Sequence, residues 1–241
     1  MHHHRQRGQV PFHHRAAARR PHARQPGEFA CYSLRDRAQF HTERRVRHLV
    51  EQLHRRGATA RQIHHQQHDA DRGPWLAAIA AWDAVEAMWG ATLDRTRLLP
   101  RPVLHEQVDG EWSFVETQRH LLFATDAWIG NAVLEQEAPY HPLGLPSSGM
   151  PADFASALGL TLDATPSLDE LLAARSERMT AVRRLVDGLT ETELDRVCRR
   201  KPADPYPDGE YVVRRCLGVV LKEEAEHHRY AVRDLDTLTL S

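Results

Sequence analysis

Lysine is nearly missing from this chain of 241 residues: Lys201 and Lys222 are the only two, and arginine carries the rest of the basic charge. That bias hints at a GC-rich genome and says nothing about chemistry. Cysteine is scarce as well. Cys31, Cys198 and Cys216 are widely spaced and odd in number, which argues against a disulfide framework and fits a reducing cytoplasm. No apolar run reaches the roughly eighteen residues of a membrane span. The N-terminus lacks an apolar segment followed by a small-residue cleavage site, so no secretory signal is expected. Strand-like alternation and internal repeats are absent too. A cytoplasmic, all-helical protein is the class that remains.

The charge that is present is unevenly divided. Residues 1–72 hold fifteen Arg and no Lys against six acids, a formal +9, whereas residues 73–241 hold seventeen bases against twenty-seven acids, a formal −10. Twelve of the seventeen histidines precede residue 70. The stretch MHHHRQRGQVPFHHRAAARRPHARQPGEFA has almost no periodic apolar content and cannot build a core. Residues 1–72 therefore read as an Arg/His-rich, largely disordered extension, and residues 73–241 as the folded domain. Within the extension, residues 43–56 can form a short basic amphipathic helix through Val46, Leu49, Val50 and Leu53. An Arg-rich arm suits nucleic acid. No aromatic interleaving accompanies the charge and the bundle is acidic, so nucleic acid is the weakest expectation and a solvated extension the stronger one.

From Pro74 onward the reading is helical. Trp75, Ile79, Trp82, Val85, Met88 and Trp89 recur at three- and four-residue steps, the mark of a buried stripe. Ser113 with Glu116 makes a capping box, so a second long helix is expected over 113–134, apolar around most of its circumference. A Pro- and Gly-rich connection spans 135–166. Ser167 with Glu170 then starts a third long helix that ends at Gly188. TETELDRV reads as a helical turn, KPADPYPDGE as a loop, and a last long helix is expected from about Tyr211 to about Leu235. Four long helices with one long crossover make a four-helix bundle.

Bundles build their sites from side chains on facing helices. On the last helix, Val213, Leu217, Val220, Ala231 and Leu235 mark the inward stripe. At 100° per residue Glu223 and His227 share one flank of it, and Glu224 and His228 share the other. Either pair has the i, i+4 spacing that lets two side chains reach one ion. A carboxylate and a neutral imidazole suit Zn²⁺ or a similar first-row cation. The third ligand would be His120, the only His of the 113–134 helix, and three protein ligands leave a position open for water or substrate. The bland alternative is a hydrogen-bonded core His and surface ion pairs. Tyr230 and Asp234 can reach the same rim. Cys216 lies two turns before Glu223 and reads as a core residue, with oxidation or metal contact conceivable. Trp75, Trp82 and Trp89, at heptad intervals, can either cover a homodimer interface or pack inside the monomer.

EWSFVETQRHLLFATDAW, HPLGLP and EEAEHHRYAVRDLD together resemble the DinB/YfiT-like superfamily of metalloenzymes, in an actinobacterial branch. The resemblance covers about residues 75–237. It implies a four-helix bundle holding a divalent metal through one His of the second helix and a pair on the last. Glu at the first position of that pair is similar to the Glu-x-x-x-His pattern of the mycothiol-dependent maleylpyruvate isomerase group. Carried over, the ligands are His120, Glu223 and His227, which favours this register over Glu224 with His228. Zn²⁺ is the first choice of metal and Ni²⁺ the second. The resemblance also implies a low-molecular-weight thiol, mycothiol or bacillithiol, with an electrophile as partner in a transferase or isomerase reaction. Metal-assisted hydrolysis is a further possibility, and a non-catalytic, stress-related or partner-binding bundle with a structural or vestigial site is the competing reading.

Overall fold

The computed structural model describes residues 44–52, 74–147, 150–204 and 206–239. The reading of residues 1–43 and 53–72 as disordered, and Cys31 with it, lies outside these residues. A first helix, α1, occupies 44–52, inside the span expected for the basic amphipathic helix. Its Val46 is fully buried, and its Val50 faces Ala225 of the last helix across a small groove.

Four long helices follow: α2 (Pro74–Thr96), α4 (Phe114–Thr125, extended by a π-helical stretch over Asp126–Val133), α6 (Leu168–Asp187) and α8 (Val213–Thr239). The short helices α3 (Arg101–His105), α5 (Ala152–Ala157) and α7 (Glu191–Leu194) lie in the connections. Helices α2 and α4 each pack on both α6 and α8. That arrangement puts α2 and α4 on one diagonal of the bundle and α6 and α8 on the other. Among the described residues there is no strand, only an isolated antiparallel bridge between Val197 and Val212. No helix of the described residues is long and apolar enough to cross a membrane.

Local chemistry explains where the helices begin and end. Ser113 Oγ accepts from the Glu116 amide while the Glu116 carboxylate accepts from the Ser113 amide, the full capping box. Ser167 caps α6 through the Glu170 amide. The Asp109–Gly110 break is a tight turn with both residues at positive φ, 54° and 76°, closed by the Glu111 amide on the Val108 carbonyl. The second long helix departs from expectation. It does not stay α-helical to residue 134, because beyond Asp126 its turns widen, and the Leu134 amide reaches back five residues to the Ile129 carbonyl. Periodicity does not register that widening, since every residue there but Asn131 stays buried.

The core is formed by the apolar stripes of all four helices. Val213, Leu217, Val220, Ala231 and Leu235 of α8 are all buried. Trp82 and Trp89 are buried within the monomer, and Trp75 is half-buried against the core. Two of the three tryptophans that suggested a dimer face therefore have an internal role.

Among the described residues of the 135–166 crossover α5 is the only helix, and much of the irregular backbone is gathered by one side chain. Arg119 is buried and donates to the carbonyls of Leu143, Thr161, Leu162 and Ala164 at 2.7–3.2 Å. A planar guanidinium with five N–H donors is suited to gathering irregular backbone whose carbonyls have no ladder partner. Gly144 lies so close to α4 that a Cβ there would stand 3.3 Å from Phe123 Cβ and 3.2 Å from Leu160.

Candidate metal centre

The crossover and α4 meet at His120. The Leu145 amide donates to the Arg119 carbonyl at 3.0 Å, and the Leu145 carbonyl stands 3.1 Å from His120 Nδ1. A carbonyl only accepts, so His120 Nδ1 carries a proton, and Nε2 is the ring atom that faces Glu223. This is the arrangement by which metal-ligating histidines are usually oriented. HPLGLP thus has a physical role. Gly144 permits the close approach, and the following Leu145 sets the tautomer.

Helix α8 brings the other two donors. Glu223 Oε2 lies 3.4 Å from His120 Nε2 and 3.3 Å from His227 Nδ1. His227 Nδ1 also stands 3.0 Å from the Glu223 carbonyl, so the ring is held against the acid one turn earlier. One donor atom from each of His120, Glu223 and His227 falls within 4.8 Å of the others. Ligands at ~2.0–2.1 Å from a tetrahedral Zn²⁺ stand about 3.4 Å apart, the separation already present between His120 and Glu223. The donor set, two imidazoles and one carboxylate, fits a first-row divalent cation.

The electrostatics keep Glu223 and His227 in ligand form. Burial alone would raise the Glu223 carboxyl, but hydrogen bonding with His120 and the charges of His227, His120 and Lys222 outweigh it and hold the group below the usual carboxylate range. Burial, aided by the neighbouring His120, pushes His227 below the usual imidazole range, against the pull of Glu223. Side-chain exposure grades from 10% at His120 through 17% at His227 to 29% at Glu223, so the cluster opens to solvent on its α8 side.

Aromatic rings frame the opening. Trp112, just before the capping Ser113, lies 4.6 Å from the His120 ring and 6.0 Å, nearly parallel, from that of His227. Tyr230 meets His227 edge-on at 6.1 Å, and the Arg229 and Arg233 guanidiniums lie 4.4 and 5.4 Å from the Tyr230 ring. Asp234 is buried and paired with Arg233, which ties it to the rim network and not to the cluster. Cys216 is fully buried beside Cys198 and is not among the clustered donors.

The second Glu–His pair has a different fate. Glu224 is fully buried and takes a two-pronged ion pair from Arg175 of α6, at 2.9 and 2.8 Å, across the centre of the bundle. Gln118 Oε1 accepts from Arg175 Nε at 3.3 Å. His228 Nε2 stands 2.8 Å from Thr92 Oγ1 and 3.1 Å from the Met88 carbonyl of α2. Glu224 and His228 thus go to different helices. Only Glu223 and His227 stay together, facing His120.

Trp112, Leu145, Arg119 and Arg175 were not assigned roles from sequence. Trp112 and Arg119 lie inside the first, and Leu145 inside the second, of the three stretches that carry the resemblance, where only their positions signalled them. Arg175 lies in a helix otherwise rich in surface arginine, and nothing in its spacing sets it apart.

An all-α bundle in which one helix presents an imidazole to an acid–imidazole pair on an adjacent helix defines a class: helical bundles with a candidate divalent-cation site between two helices. The chain belongs to the DinB superfamily, whose family model matches residues 84–231. No curated protein and no solved structure matches the chain.

Proposed function

We propose that His120, Glu223 and His227 hold one divalent cation, Zn²⁺ first and Ni²⁺ second, and that the protein uses it as a transferase or isomerase acting with a low-molecular-weight thiol such as mycothiol. The observation that carries the metal reading is the convergence of three donors with the His120 proton held by Leu145. The thiol reading rests on the Glu-x-x-x-His pattern and on the open α8 side of the cluster. When bound there, a cation of this kind supplies Lewis acidity that keeps a thiol ionised at neutral pH. The chain's own residues do the rest. Leu145 orients His120, Glu223 supplies the negative charge, and Trp112 covers both imidazoles and keeps water from that side.

The test compares the full chain with His120→Ala and His227→Ala, all three retaining the His-rich arm so that its metal uptake cancels. About one equivalent of metal per chain should be lost in each variant, as expected when one of three protein ligands is removed. Equal metal content in all three overturns the site. Thiol binding is then read on the Co²⁺-substituted protein, where a thiolate ligand adds a charge-transfer absorption. Metal binding without that band favours a structural site in a non-catalytic bundle.

A further inference from the structure

Cys198 and Cys216 are eighteen residues apart in sequence and belong to different elements, yet their Sγ atoms lie 4.0 Å apart. The contact has a structural cause. The Val197–Val212 bridge, the Cys198 amide on the Tyr211 carbonyl (2.7 Å) and the Val213 amide on the Arg196 carbonyl (3.0 Å) zip the chain after α7 to the start of α8. Cys216 sits in the first turn of α8, facing that zipper. Neither thiol touches the candidate metal centre. Cys216 precedes Glu223 by two helical turns, about 10 Å of rise.

We propose that Cys198 and Cys216 form a reversible dithiol–disulfide couple, oxidised by a peroxide, that covalently joins the segment after α7 to the first turn of α8. The two thiols differ in a way that assigns roles. Cys198 is buried but borders solvent, followed by the exposed Arg199 and Arg200 and next to the half-exposed Val197. Its thiol is drawn below the ordinary cysteine range by the hydrogen bond from Cys216, with burial opposing and the Arg196 charge assisting. Cys216 is fully buried and pushed upward, first by that same hydrogen bond and then by burial. Cys198 is therefore the attacking thiolate and Cys216 the resolving thiol.

In the first step the Cys198 thiolate attacks one peroxide oxygen, the O–O bond breaks, and the protein holds a sulfenic acid while hydroxide takes up a proton to leave as water. In the second, Cys216 sulfur attacks the Cys198 sulfur. The S–O bond breaks, the Cys216 proton goes to the departing oxygen, and a second water leaves. Two thiols and one hydrogen peroxide give one disulfide and two waters. Closing from 4.0 Å to a bond of ~2.05 Å needs side-chain rotation at both cysteines.

The full-length Cys31→Ser protein, exposed under native conditions to a small excess of hydrogen peroxide, tests this. The expected result is loss of both remaining thiols, a mass decrease of about two hydrogens, and a tryptic species joining the Cys198 and Cys216 peptides. Arg199, Arg200 and Arg215 allow trypsin to separate those peptides unless they are bonded. Dithiothreitol should restore both thiols. With Cys216→Ser in addition, Cys198 should accumulate as a dimedone-reactive sulfenic acid, and with Cys198→Ser no adduct should form. Two thiols that persist while a free small thiol is consumed, or a cross-link that appears only after denaturation, would overturn the proposal. Either outcome can be read on the Cys31→Ser protein alone if a further variant fails to fold.

Discussion

Replacing Glu224 by Gln should unfold the bundle more readily and leave its metal in place, whereas replacing Glu223 by Gln should do the reverse. The two acids are adjacent on α8, so composition and propensity hardly differ between the variants. Their surroundings do. Glu224 is 0% and Arg175 5% exposed, and the pair exchanges two bonds of 2.9 and 2.8 Å. Gln at 224 leaves the guanidinium in the centre of the bundle facing a neutral amide. Breaking a buried pair by removing one partner costs ~3–5 kcal/mol, and Gln keeps one acceptor, so the lower end is expected. At ~2–4 °C per kcal/mol for a domain of this size, Tm should fall by about 10 °C. Glu223 is 29% exposed and repels no packed neighbour when neutralised, so its variant should stay within ~1 kcal/mol of the parent. Urea unfolding in the presence of a chelator isolates the protein term, and elemental analysis of undenatured protein reads the metal. If Glu224→Gln sheds metal at unchanged stability, or Glu223→Gln destabilises the chelated protein by several kcal/mol, the assignment of the two acids is wrong.

Arg119→Ala should lower stability by about 3 kcal/mol, because several carbonyls of the crossover lose their donor at once. It should also expose residues 143–165 to limited proteolysis. Gly144→Ala pushes a Cβ to 3.2–3.3 Å from Leu160 and Phe123, so a cost of ~1–2 kcal/mol and weaker metal retention, through displaced Leu145, should appear together in unfolding and metal-content measurements. Asp126 is buried and its carboxyl is pushed up to about 6, mainly by burial and against the hydrogen bond from Arg178. A folded-state value above the unfolded one means the folded protein binds the extra proton, so the stability it contributes is full below about pH 4 and lost as pH rises through 6. Relative to Asp126→Asn, the parent should lose up to ~3 kcal/mol across that window in urea titrations. Metal binding should weaken in acid, as protons compete for His227 and then Glu223. Because both are held below their ordinary ranges, binding measured by competition with a chelator should persist to lower pH than free imidazole would allow.

What was legible in the amino-acid order is what depends on near neighbours. The capping box of Ser113 and Glu116 and the apolar stripe of α8 are set within a turn or two of chain, where propensity and period act directly. So is the fact that Glu223 shares a flank with His227, and Glu224 with His228, since that follows from 100° per residue alone. Which pair meets a third imidazole does not follow. It depends on Arg175 crossing from α6 to neutralise Glu224, on Thr92 and Met88 of α2 engaging His228, and on Leu145 of the crossover turning His120. The same holds for the approach of Cys198 to Cys216. These partners lie between 18 and 140 residues apart in sequence, and no local pattern encodes their meeting. Buried charge is costly unless it is paired, so the packed bundle selects the one arrangement in which each buried charged or imidazole group finds its counterpart. The cluster at the rim follows from that selection.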